Sequence, residues 1–281
     1  MADLHPKRYV FHGYASGVSA HIRRPERRLF ATKGCSALAV TGGLAEDEHP
    51  AGAFDRWVSY DAVRTRAHGD YADADLGEAT TRGTVAFDAV PTETTVTAEV
   101  LGFDVLKRFH VDRLRLNLMA RSSKPGEQPV IRLEGNLLQG VKIDGYELKI
   151  TLAEGFFQEC DTHAKLVQRH ASGLAQNYAA IFLPLTEGGD PLTSLPEAKG
   201  IVKCTIVEHM EWAGQAHPKA TIHGHVVRVP DFGRIYFGEL FVSARSRRLT
   251  MVRCQLGSPD GGEVTGGDGE SNGSSWPPDN P

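Results

Sequence analysis

Polar and apolar residues alternate singly along most of this chain, which is the pattern of strands that bury one face and solvate the other. In residues 111–120, Leu114, Leu116, Leu118 and Ala120 share one face while Arg113, Arg115 and Asn117 share the other. That is a half-buried antiparallel strand, and residues 95–105 are patterned to pair with it as a hairpin. Asp144-Gly145 separates two further β-patterned runs, 141–143 and 146–152, and suits the two positive φ angles of a type I′ turn. Residues 235–242 and 249–256 flank a basic loop, 243–248, as another hairpin. Residues 9–22 read as one long strand with Gly13 and Gly17 as bends or bulges. Residues 55–66 fit two readings: Phe54, Trp57 and Val58 suit a helical face, and the β-rich surroundings suit a strand.

One stretch changes period. From about 161 to 182, Leu166, Val167, Ala171, Leu174, Tyr178 and Ile181 recur at steps of three and four, Asp161 or Thr162 can cap the start, and Pro184 stops the end. The expected fold is therefore mainly β: a large antiparallel barrel or sandwich, formed by a single domain over residues 1–256, with this amphipathic helix packed on it. Residues 257–281 are rich in Gly, Ser, Pro and acid, with Trp276 as the only aromatic side chain. Such a composition predicts a flexible tail.

Charge alters this picture little. The net charge is -4, but 257–281 holds five acidic residues and no Lys or Arg, so residues 1–256 stand at +1. A nearly neutral body gives no general attraction to nucleic acid or to an anionic membrane. No apolar run is long enough to span a bilayer, and the first residues lack the apolar core of a secretory signal. Four cysteines, Cys35, Cys160, Cys204 and Cys254, lie far apart without a C-x-x-C pair, which points to a reduced, cytoplasmic protein.

The densest candidate chemistry is histidine. If residues 201–210 and 219–229 pair as one hairpin with their apolar faces matched, His209, His223 and His225 fall together on the other face. Three imidazoles with an open position could hold zinc or iron. By parity Glu208 lies on the apolar face among Val202, Cys204, Ile206 and Met210, where a carboxylate either meets an arginine or serves as acid or base. Two arginine-rich connections, Arg23, Arg24, Arg27 and Arg28 in one and Arg245, Arg247 and Arg248 in the other, would make an anion or partner patch if they met at one end of the sheet. No G-x-S-x-G, Walker A or G-x-G-x-x-G motif is present, so hydrolase, nucleotide and dinucleotide chemistry all lack their starting signature.

The expectation is a non-enzymatic, cytoplasmic binding or accessory protein without a cofactor, contacting a partner protein or an apolar small molecule through its strand aromatics. The alternative is a metal-dependent enzyme that activates water or dioxygen at His209, His223 and His225, with Glu208 as acid or base.

Overall fold

The computed structural model describes residues 8–71, 90–123, 127–172, 181–183 and 200–276. Within them, β1 (Arg8–Ile22), β2 (Arg28–Leu29) and β3 (Lys33–Ala37) open a first sheet. A second is built from β4 (Gly43–Phe54), β5 (Val58–Tyr71), β6 (Thr92–Val105), β7 (Phe109–Ser122), β8 (Val130–Arg132), β9 (Leu137–Ile143) and β10 (Tyr146–Leu152). Two short helices follow, α1 (Glu154–Glu159) and α2 (His163–Ala171). The chain then gives β11 (Val202–Thr205) to the first sheet and β12 (Val207–Trp212) to the second. It finishes in the first sheet with β13 (Thr221–His223), β14 (Val226–Val229), β15 (Gly233–Val242), β16 (Arg247–Leu256) and β17 (Gly262–Trp276).

The nine-stranded first sheet runs β13-β14-β15-β16-β17-β1-β2, with β11 beside β15 and β3 beside β1. The eight-stranded second sheet runs β12-β10-β9-β7-β6-β5-β4, with β8 beside β7. Neither sheet closes on itself, and the two pack face to face as a sandwich. Val96, Ala98, Val100, Leu114, Leu116 and Leu118 are fully buried between them, as the alternation in β6 and β7 requires. Edge-to-face rings join the layers, with Phe109 of β7 centred 5.9 Å from Phe237 of β15. The β9–β10 turn has φ of +49° at Asp144 and +83° at Gly145, the type I′ signature expected. Residues 58–66 are strand, resolving that ambiguity.

A crease crosses the first sheet. Gly238, Gly267 and Gly34 have φ of +60°, +64° and +66°. Each lies in a row where the ladder skips a residue: Phe237 and Glu239 pair with Val252 and Thr250, Thr250 and Val252 with Asp268 and Gly266, and Ser16 and Val18 with both Asp268 and Gly266 and with Cys35 and Lys33. The row resets the inside-outside alternation. In β15, Phe237 and Leu240 both face the core, and Tyr236 and Glu239 both face out. Gly17 is thus a bend, as expected. Gly13 instead stays in the ladder opposite Ser271 and makes room for Leu38, whose Cδ1 would lie 2.7 Å from a Cβ there.

Two expectations fail. Residues 257–276 are not a free tail, because Gly262–Trp276 forms β17 in the middle of the sheet, paired with β1 and with β16, and residues 277–281 lie outside the described residues. Its inward positions are Val264, Gly266, Gly267, Gly269, Ser271 and Gly273, so it buries backbone rather than side chains against the second sheet. The 161–182 helix is also shorter than its period predicts. Thr162 caps α2 by accepting from the Lys165 amide, and Leu166 is buried, but Val167 is 40% exposed. Ile181 and Leu183 hydrogen-bond to β11 as a strand-like segment, and Phe182 bridges to Cys204. Residues 173–180, which include Leu174 and Tyr178, lie outside the described residues. Local helical period is overridden here by an unpaired sheet edge that recruits the following residues.

Ending the chain at Leu256 should abolish the cooperative unfolding transition, because it strips the ladders of β1 and β16 at once. A truncated protein with the wild-type thermal midpoint would refute the central role of β17. Gly267→Ala should cost at least about 1 kcal/mol in urea unfolding, since a Cβ there would lie 2.5 Å from Leu114 Cδ2 at a left-handed φ.

Candidate functional site

The three candidate histidines do not meet. β11 pairs with β15 and β12 with β10, so residues 201–212 never form a hairpin with 219–229. The chain changes sheets at Ile206, whose N–H donates to Gly238 O in one layer while its carbonyl accepts from Ala153 N in the other. His209 therefore sits exposed on the second sheet, with Nε2 3.6 Å from Glu211 Oε2. His223 is exposed at the end of β13, and His225 is buried in the tight turn that follows Gly224, where φ is +57°. Among the described residues, no group of three or more His, Cys, Asp or Glu is placed to hold a metal ion. The sheet change also shifts parity after Ile206, so Glu208 points to solvent rather than into the apolar face.

The arginine connections fail to converge for a topological reason. Residues 23–28 follow the Ile22 end of β1, which registers with Gly262, whereas the β15–β16 turn lies at the level of Ser271 and Gly13. About nine residues separate the two levels, roughly 30 Å at strand rise. Two of the guanidinium groups are also already engaged with acids: Arg28 pairs with Glu26 and Asp55, and Arg248 makes two bonds to Asp268, at 3.0 and 2.8 Å. Arg247 and Arg248 lie in β16 rather than in its turn, and Arg247 is only 1% exposed.

The charge clusters that do form went unseen in the sequence reading. On the outer face of the first sheet Glu239 is 3% exposed, with Arg253 donating to it at 2.6 and 2.9 Å and Lys203 Nζ at 3.1 Å. His225 Nε2 stands 3.9 Å away, beyond direct hydrogen bonding. The Arg253 guanidinium lies 3.8 Å over the Tyr236 ring and reaches Glu263 at 3.4 Å. Burial alone would push the Glu239 carboxyl up, but the facing His225, Arg253 and Lys203 outweigh it and hold the group well below the ordinary range. Glu239 is therefore a fixed anion that ties β11, β15 and β16 together, not a proton carrier. A single acid inside the apolar run 235–242 was its sequence signal.

A second cluster pins the 213–219 loop. Arg108 donates twice to Asp144 at 2.7 Å, and His217 Nε2 lies 3.1 Å from the same carboxylate. The Arg108 bonds are the largest cause of a lowered Asp144 pKa, with burial opposing and His217 assisting. His217 Nδ1 accepts the amides of Lys219 and Ala220, so its proton is on Nε2. Both ring nitrogens are committed to holding the loop, and this dyad has no free base. The buried thiols of Cys204 and Cys254 are raised by desolvation, which keeps them unreactive.

The outer face of the second sheet is different in kind. Across β4 to β7, Glu48 meets Arg64 at 2.8 Å, Glu46 meets Arg66 at 3.6 Å and Glu99 meets Arg113 at 2.6 Å. These side chains, with Arg115, line a shallow concavity of about 510 Å³. Arg115 is directly opposite Glu99 in register but loses that partner to Arg113, and has no ion pair among the described residues.

A family model described as a domain of unknown function (DUF8256) matches residues 9–181 and 188–243, a span that includes β1 to β15 and stops short of β16 and β17. No curated protein and no solved structure matches the chain. Among the described residues no helix is long and apolar enough to cross a membrane.

Protonation of Glu239 is harder in the folded than in the unfolded chain. Its stabilising contribution is thus complete above the ordinary glutamate range, about pH 4.3, and is lost as pH falls further. Glu239→Gln should lower stability at neutral pH by about 3 kcal/mol. The gap from wild type should narrow between about pH 5 and about pH 3, and urea titrations showing a constant gap would contradict the assignment.

Proposed function

We propose that this chain, which belongs to the DUF8256 family, is a non-enzymatic cytoplasmic binding or accessory protein that docks a partner protein on the outer face of β4 to β7. The observation that carries this reading is the exposed grid of both charge signs across four strands, with the Arg115 guanidinium left over. Solvent-exposed pairs of this kind add little to folding, typically about 0.2–1 kcal/mol each. In an interface they supply steering and register, because each pair can re-partner with a complementary charge on the other surface. The concavity is polar and open, which favours a protein surface over an apolar small molecule. Edge strand β4 carries Glu46, Asp47, Glu48 and Pro50, features that discourage strand-to-strand addition and leave the face rather than the edge for docking. Four free cysteines, with Cys35 exposed, suit a reducing compartment.

The tagged full chain should capture one stoichiometric partner from an extract of its own cells, and about 0.5 M salt should release it. Arg113→Glu with Arg115→Glu should lose that partner, while Arg228→Glu, an exposed charge on the other sheet, should keep it. Equal capture by the β7 double variant would overturn this face as the docking surface.

A further inference from the structure

The interior of the sandwich turns polar at the end where β1 begins. Arg247, at the start of β16, shares the inward parity of Leu249 and is 1% exposed. Its amide donates to Asn272 Oδ1 at 2.7 Å and Nη2 donates to Ala244 O at 3.0 Å, so the guanidinium is held in place. Nε and Nη1 are buried with no hydrogen-bond partner. Thr92, 3% exposed on the facing sheet, has a buried Oγ1 whose neighbour is the Tyr9 hydroxyl. The Tyr9 hydroxyl lies beside both, close enough to feel the Arg247 charge. Burial pushes Arg247 down to about 10, because no carboxylate among the described residues reaches it. Phe11 packs edge-on against the Tyr9 ring at 4.8 Å and helps hold it in place.

A cation withdrawn from water, with two donor groups aimed at nothing and two hydroxyls alongside, lacks one component: an anion. The geometry points to a binding site for a small oxyanion, a carboxylate or phosphate group, held by Arg247 with Tyr9 and Thr92 as hydroxyl partners. Guanidinium suits both oxyanions because its planar N–H groups match paired oxygens. This site is independent of the β4–β7 face.

Thermal shift and calorimetry on the full chain would test it with inorganic phosphate, sulfate, acetate and benzoate, each at constant ionic strength against chloride. At least one should give a saturable rise in midpoint, phosphate or sulfate marking a tetrahedral ligand and acetate or benzoate a carboxylate. Arg247→Met should weaken that binding at least about thirtyfold, and Tyr9→Phe about tenfold. Without any oxyanion, Arg247→Met should be at least as stable as wild type, since it deletes an unpaired buried charge. Three results would overturn the proposal. One is the absence of a saturable shift with every probe. Another is an Arg247→Met variant strongly destabilised in chloride, or unable to fold, which would mean that the chain itself supplies the partner. The third is Tyr9→Phe binding the effective probe as tightly as wild type, which would remove the assigned contacts.

Discussion

β17 runs between β16 and β1 with glycine at most of its inward positions, so the second sheet packs against bare backbone. A Cβ at Gly269 would lie 2.9 Å from Leu116 Cδ2 and 3.0 Å from Val96 Cγ2, and one at Gly266 would lie 3.1 Å from Phe103. The volume that β17 does not fill is filled by large residues of β6 and β7, and this exchange lets the layers approach. Ser271 adds a polar tie, donating to Thr94 O at 2.7 Å across the interface. The same strand joins the two halves of the nine-stranded sheet, because β16 and β1 have no other bond between them. Closing so long a loop adds only about 0.6 kcal/mol per doubling of its length, so the arrangement is thermodynamically cheap. It makes the fold rich in non-local contacts, which slows folding more than it destabilises the product.

Charge is distributed around this frame by the crease. Where Gly238, Gly267 and Gly34 reset the alternation, Glu239, Thr250, Asp268 and Ser16 are aligned on the outer face. Asp268 accepts from Thr250 at 2.7 Å and from Arg248, and Glu239 from Arg253 and Lys203. Buried pairs of this type contribute little net stability relative to a hydrophobic replacement, but breaking one is expensive. Their effect is to penalise any register that separates the partners. Asp144 works in the same manner at the other sheet, where Arg108 and His217 fasten a loop to the β9–β10 turn. Against these satisfied groups Arg247 stands out, since the same physics that favours the paired acids leaves its two buried nitrogens without compensation.

What the sequence by itself determined was whatever a local period or a single turn can express. The alternation in 95–105 and 111–120, the Asp144-Gly145 turn, the 235–256 hairpin and the cap at Thr162 depend on neighbours a few residues away, and each is present in the fold. What only the tertiary structure decided depends on partners far along the chain. The glycines of β17 are compatible with a strand solely because Leu114, Leu116 and Phe103 press on them from another layer, so their composition alone resembles that of a solvated tail. The helical period did not carry to Phe182, since Ile181 and Leu183 satisfy their backbone groups on β11. His209, His223 and His225 shared a face only on the assumption of one hairpin, and the crossing at Ile206 placed His209 on a different sheet from the other two. The buried partners of Glu239 and the orphaned nitrogens of Arg247 were illegible for the same reason: a charge in a strand acquires its meaning from the strand opposite, and a sequence does not say which strand that is.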